Sequence, residues 1–212
     1  MQYHFDSTIL LVADHSEIAM LAVLCLFAFL AGFIDAMVGG GGVIQLPAFF
    51  ILQPHLTLVQ LLACNKTASF LGTSVSTLRF LKKVPVEWKK LSMMMGTAFV
   101  GSITGAILVR HIQKASYVPI IIVCLIAVLI YTLLKRKIGL YHAEKELSKQ
   151  RHIAFATTTG MVIGLYDGLI GPGAGSFLIF AFVALFGYSF LHASANAKVI
   201  NCVTSIGALS FF

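Results

Sequence analysis

From Ile18 to Asn65 the chain carries one formally charged side chain, Asp35, and the stretches 91–109, 115–134 and 168–197 carry none. Each helix that crosses a bilayer needs about 20 predominantly apolar residues, so these runs constrain the chain to several membrane spans. Composition agrees: 58% of the 212 residues are hydrophobic, 11% are charged and mean hydropathy is +0.93. An all-α, polytopic membrane protein is expected.

Within the first run stand four glycines, Gly39, Gly40, Gly41 and Gly42, four residues after Asp35. Glycine costs roughly 1 kcal/mol relative to alanine inside a helix, so four together should interrupt one. The freed backbone N–H and C=O groups then need partners. Irregular backbone is tolerated at membrane depth only where it is buried in protein or lines a wet cavity, which makes the break a candidate binding site.

Taken in order, the chain reads as an N-terminal tail over 1–17, a first membrane repeat over 18–134, a basic linker over 135–152 and a second membrane repeat over 153–212. The tail holds Asp6, Asp14 and Glu17 but no Lys or Arg, so it lacks the basic start of a secretory signal peptide and is expected to be retained. A first helix should run from about Ile18 to Val38. The piece from Val43 to Gln53, about 16 Å long as a helix, reads as a half-helix. Gln53, Pro54 and His55 form a turn, and a long segment follows from Thr57 to Leu81. Further spans cover Leu91–Val109 and Tyr117–Leu134, the latter entered near Pro119. Gly101 and Gly105 have the small-xxx-small spacing that lets two helices approach closely. The loop after Leu81 holds Lys82, Lys83, Lys89 and Lys90, and the linker holds Lys135, Arg136, Lys137, Lys145, Lys149 and Arg151. Both basic loops should be cytoplasmic. A net charge of +7 is explained by these helix ends and gives no reason to invoke nucleic acid.

The region after the linker repeats the beginning. Gly32-Phe33-Ile34-Asp35-Ala36-Met37-Val38-Gly39-Gly40-Gly41 aligns without a gap on Gly164-Leu165-Tyr166-Asp167-Gly168-Leu169-Ile170-Gly171-Pro172-Gly173. The same offset of 132 residues places Thr57 on Ser189 and Lys66 on Lys198. This is an internal duplication. The counterpart of Leu134 would fall beyond Phe212, so the second repeat is expected to be incomplete. If each glycine break turns a hairpin back on itself, a repeat crosses three times and the second is inverted, a plan common among secondary transporters. Parallel repeats of four full crossings remain open.

Each break precedes a short apolar helix whose first N–H groups and positive dipole end would face it. Such an end can hold an anion. Gly39, Gly40, Gly41, Gly42, Gly171, Gly173, Gly175 and Ser176 are therefore candidate substrate-binding positions. The plain alternative is that the glycines only permit close packing. Lys66 and Lys198, costly at membrane depth, need partners. They either form structural pairs, Lys66 with Asp35 and Lys198 with Asp167, or aim at a substrate anion together with Asn65. Asp35 and Asp167 are candidate coupling residues that carry protons, and equally could bond loose N–H groups at the breaks. Thr67, Ser69, Asn196, Asn201 and Gln45 are polar neighbours, although hydroxyls in membrane helices often bond their own backbone. Cys25, Cys64, Cys124 and Cys202 lack any CxxC pair and read as buried thiols. No histidine pair has metal spacing, and the glycine run lacks the Lys-Ser/Thr of a phosphate loop. No metal, no cofactor and no enzyme activity are expected.

The run Ala31 to Gly42, followed by Pro47 and Cys64-Asn65-Lys66-Thr67, and its echo from Gly164 to Ser176 with Ala197-Lys198, resembles the sulfite exporter TauE/SafE family, also called toluene sulfonate uptake permeases, in its YfcA-like branch. The resemblance covers nearly the whole chain from Phe27 onward. It implies a multi-pass carrier of small anions such as sulfite or organosulfonates in the bacterial inner membrane, with two homologous halves and about eight membrane segments. The expected function is secondary transport of such an oxyanion, coupled to protons through Asp35 and Asp167. A passive anion channel and a non-transporting membrane subunit are the alternatives. Expected partners are the small anion and membrane lipid, without nucleic acid; a homo-oligomer stays open.

Overall fold

A computed structural model describes residues 3–38, 41–134 and 148–212, and every element among them is an α-helix. In chain order these are α1 (Tyr3–Val38), α2 (Gly42–Leu52), α3 (Leu58–Leu81), α4 (Trp88–Val109), α5 (Lys114–Leu134), α6 (Lys149–Leu169), α7 (Ala174–Phe186) and α8 (Phe190–Leu209). α1 starts at Tyr3, so the stretch read as a tail continues the first helix. The basic run from Lys135 to Lys145 lies outside the described residues.

Helix ends recur at the duplication offset. α3 begins at Leu58 and α8 at Phe190; α2 begins at Gly42 and α7 at Ala174, each pair 132 residues apart. Local chemistry fixes the shared start. Thr57 caps α3, its hydroxyl accepting from the Gln60 N–H while the Gln60 side chain accepts from the Thr57 N–H. This reciprocal arrangement satisfies two donors that a helix start otherwise leaves open. Ser189 caps α8 in the same way through the His192 N–H.

Two hairpins follow from these starts. The Gln53 side chain at the end of α2 contacts the Met20 sulfur, so α2 folds back along α1. Phe186 at the end of α7 lies edge-on to His152, with ring centroids 5.2 Å apart, so α7 folds back along α6. Lys114, opening α5, donates to the Pro54 and Leu56 carbonyls beside the α2–α3 turn. Arg110 at the end of α4 stacks over the Phe211 ring beyond the end of α8.

The closest packing joins α4 to α6. A Cβ on Gly101 would approach the Met161 carbonyl to 2.6 Å, and one on Gly164 would approach the Ala98 Cα to 2.8 Å. The small-residue spacing read in α4 thus meets its complement, Gly160, Gly164 and Gly168, in α6. Contact at backbone distance gains dispersion over the whole interface, which matters in lipid because apolar side chains are no better buried in protein than in acyl chains. One apolar cluster joins α4, α6, α7 and α8 around Met94, Leu178, Phe182 and Ile200. A second joins α2, α3, α4 and α5 around Leu46, Leu62, Val109 and Tyr117.

The outer surface is apolar. The α1 window Glu17–Asp35 is only 6% buried, and Leu21, Phe29 and Phe33 stand out from it. Among the described residues, that window and Trp88–Val109 are long and apolar enough to cross a membrane, and Gly42–Leu52, Lys114–Ala127 and Ala174–Phe186 are shorter apolar helices. The cysteines are free, yet Cys25 and Cys64 are exposed, which corrects the expectation of buried thiols. In a membrane helix an apolar residue faces lipid as readily as protein, so apolar context did not imply burial.

Candidate functional site

Gly42 at the start of α2 lies against Pro172, just before α7. A Cβ on Gly42 would sit 3.2 Å from Pro172 Cγ and 3.4 Å from Asn65 Nδ2, and one on Gly171 would sit 3.5 Å from Lys66 Cε. α2 and α7 therefore start beside one another, with Asn65 and Lys66 of α3 against both breaks. Gly41 caps α2 and donates its N–H to Asp35 Oδ1 at 3.3 Å. Gly173 caps α7 with φ 85°, and Gly171 has φ 90°, left-handed values that an L side chain rarely adopts. Gly175 and Ser176 form the buried first turn of α7. Gly39 and Gly40 lie outside the described residues.

The lysines pair across the duplication. Lys66 Nζ lies 2.7 Å from Asp167 Oδ1, and Lys198 Nζ lies 3.0 Å from Asp35 Oδ2 while also donating to the Asp35 carbonyl. The pairing expected within each repeat, Lys66 with Asp35 and Lys198 with Asp167, is overturned. Depth explains the exchange. Asp35 is fifteen residues past Met20, about 22 Å along α1, whereas Lys66 is eight residues past Leu58, about 12 Å along α3. Met20, Gln53 and the start of α3 share one level, so Asp35 and Lys66 are offset by roughly 10 Å along the helix axes. Thr73, fifteen residues past Leu58, is level with Asp35 instead, and its hydroxyl donates to Asp35 Oδ2 at 3.4 Å. α8 packs on α3 with Asn201 donating to the Thr73 hydroxyl, which brings Lys198 to the same level.

All four charged side chains are buried: Asp35 is 9% exposed, Lys66 4%, Asp167 2% and Lys198 4%. Ion pairs so placed hold together because breaking one strands a charge away from water. A cavity of about 40 Å³ opens beside Asp35, lined by Gly41, Gly42, Gln45, Ser69 and Gly72 among others. It is roomy enough for water and polar enough to hold it.

Backbone freed by the second break is tied down by two tyrosines missed in the sequence. Tyr117 of α5 donates to the Leu169 carbonyl at 2.7 Å, and Tyr166 donates to the Pro172 carbonyl at 2.7 Å. Thr73 was missed as well, although its spacing of seven residues from Lys66 places it on the same helix face. Thr67 bonds its own helix at Ala63, as its type suggests. Among the described residues three buried polar atoms lack a hydrogen-bond partner: Asn65 Oδ1, Asp167 Oδ2 and Ser205 Oγ. No group of three potential metal ligands occurs among those residues.

Comparison with known proteins identifies the family. The model of the family described as sulfite exporter TauE/SafE matches residues 24–212. The probable membrane transporter protein YfcA of Escherichia coli strain K12 is 35% identical over 196 residues, covering 91% of this chain and 70% of its own. The probable membrane transporter protein ORF9 of a Sinorhizobium species is 34% identical over 193 residues, covering 91% of this chain and 72% of its own. A probable membrane transporter protein of Haemophilus influenzae is 32% identical over 195 residues, covering 92% and 74%. No solved structure matches. A match that spans both hairpins, both lysines and both aspartates leaves one reading: the chain belongs to the sulfite exporter TauE/SafE family of membrane transporters.

Proposed function

We propose that the protein is a multi-pass carrier of a small oxyanion or sulfonate in a bacterial inner membrane, a secondary transporter rather than a catalyst, and that its substrate binds where the two glycine breaks meet. The observation that carries this is the crossed pairing, since each buried lysine is held by the aspartate of the other repeat. A lysine already neutralised by a carboxylate can exchange that partner for a substrate anion, provided the carboxylate is protonated or moves away. The starts of α2 and α7 add N–H groups and the positive ends of two helix dipoles.

The repeats are read as inverted. Met20 and Gln53 mark the end of the molecule where the first repeat begins, together with Lys114 and the end of α4. His152 and Phe186 mark the opposite end, beside Leu91 and Glu87 at the start of α4. Arg79, Lys82, Lys83, Lys89 and Lys90 then share one side with Lys149 and Arg151, which the positive-inside bias makes cytoplasmic. Rocking one hairpin against the other about the midplane would alternate access.

Radiolabelled sulfite and an organosulfonate, measured in proteoliposomes, test the reading with Lys66→Ala and Asp35→Asn beside the unaltered chain. Loss of flux in both variants is expected. Equal flux in all three would remove these residues from the pathway.

A further inference from the structure

The duplicated frame makes Asp35 and Asp167 equivalent by position, but their surroundings differ. Asp35 accepts from three donors: Lys198 Nζ and the Thr73 hydroxyl at Oδ2, and the Gly41 N–H at Oδ1. Both oxygens are engaged, and the cavity of about 40 Å³ beside them can supply water. All three donors reach the carboxylate oxygens directly. Asp167 is placed otherwise. Lys66 reaches Oδ1, while Oδ2 is buried without a donor among the described residues. Ser205 stands at the position of Thr73 in the second repeat, and its hydroxyl has no partner. The Asn65 carbonyl oxygen, beside Lys66 in sequence, is a second buried acceptor without a donor.

Buried acceptors without donors are rare in folded proteins and call for an explanation. A proton on Asp167 Oδ2 turns an orphaned acceptor into a donor. It also removes the charge that holds Lys66.

We propose that the two aspartates divide the work: Asp167 is the carboxyl that binds and releases a proton, and Asp35 stays ionised as a fixed anchor between the repeats. The step balances. One proton from water converts the Asp167 carboxylate to the acid, the Lys66–Asp167 ion pair is lost, and one monoanion takes its place on Lys66 with no net change of charge in the site. The titratable and cationic groups that face Asp167 are Lys66 from α3 and its neighbour Tyr166 on α6; the Tyr117 hydroxyl from α5 is engaged with the Leu169 carbonyl instead. The exchange of partner on Lys66 rests on the transport reading; the proton-binding assignment does not.

Infrared difference spectra of the purified 212-residue chain, recorded as pH is lowered, read the carboxylic-acid C=O stretch directly. The other carboxylates of the chain add acid bands of their own, so Asp167 is read as the band present in the unaltered chain and in Asp35→Asn and missing from Asp167→Asn. If Asp167→Asn strands Lys66 and fails to fold, the pair Lys66→Gln with Asp167→Asn removes both charges and keeps the spectrum readable. A band missing from Asp35→Asn instead, or identical acid bands in the unaltered chain and Asp167→Asn, overturns the assignment. In proteoliposomes, sulfite accumulation of about tenfold per unit of imposed pH difference should fall to about onefold in Asp167→Asn. That behaviour in Asp35→Asn, with Asp167→Asn still driven by the gradient, also overturns it. The expected infrared result without sulfite flux in the unaltered chain would sink the transport reading and leave the proton on Asp167.

Discussion

Replacing Lys66 by Met leaves Asp167, 2% exposed, without the cation 2.7 Å away. Truncating one member of a buried ion pair costs about 3–5 kcal/mol, because the remaining charge is left away from water, whereas removing both members is often close to neutral. For a chain of this length each kcal/mol moves the unfolding midpoint by about 2–4 °C. Lys66→Met and Asp167→Asn should therefore each lower the midpoint by about 6–20 °C, and the double variant should recover most of that loss. Thermal unfolding in detergent, followed by size-exclusion chromatography, measures all four corners of the cycle. A second cycle is the control. Lys66 and Asp35 share no contact, so Lys66→Met with Asp35→Asn should add, as effects at separate sites do. Strong coupling of Lys66 to Asp35 and additivity with Asp167 would refute the crossed arrangement and the depth argument together.

Gly168→Ala sets a methyl against the Ser102 carbonyl at the α4–α6 contact and should cost about 1–3 kcal/mol, whereas Gly72→Ala meets nothing within 4 Å and should be neutral or stabilising in the same thermal assay. Tyr117→Phe removes the donor from the Leu169 carbonyl and should cost about 1–3 kcal/mol, read as a lower midpoint. Thr57→Ala and Ser189→Ala remove matching caps, each worth about 0.5–2 kcal/mol, and their losses should be similar and additive because the two caps open different helices.

Much of the fold was legible before any coordinates. Charge-free runs gave the helices, and the offset of 132 residues gave matching starts at Leu58 and Phe190. Gly101 and Gly105 marked the face that meets α6. What resisted reading was which helix faces which. An apolar run states its length but carries little amphipathic pattern, so no stripe identifies the partner, and Cys64 could face lipid as easily as protein. The crossed pairing was not legible either, because the depth of Asp35 relative to Lys66 follows from the Gln53–Met20 contact, which only the coordinates show. Thr73 and Ser205, each seven residues after a lysine, were legible from their helical spacing. Tyr117 was not, because nothing in α5 reports that its hydroxyl reaches a carbonyl on α6.

A duplication supplies two of everything, and the centre of this chain is where the copies stop matching. Thr57 and Ser189 keep one job, as do Leu46 and Leu178, because a helix start or a core position asks the same of either copy. Around the charges the copies differ: Asn65 has Ala197 as its counterpart, Ser69 has Asn201, and Thr73 has Ser205. Each exchange falls beside an ion pair, and among the described residues one aspartate has three donors while the other has one. Two equally strong pairs would hold the hairpins equally in every position, and two equally weak ones would not hold them at all. On the proposed reading the divergence resolves that conflict: the Lys198–Asp35 tie stays closed while the Lys66–Asp167 tie opens to a proton and an anion.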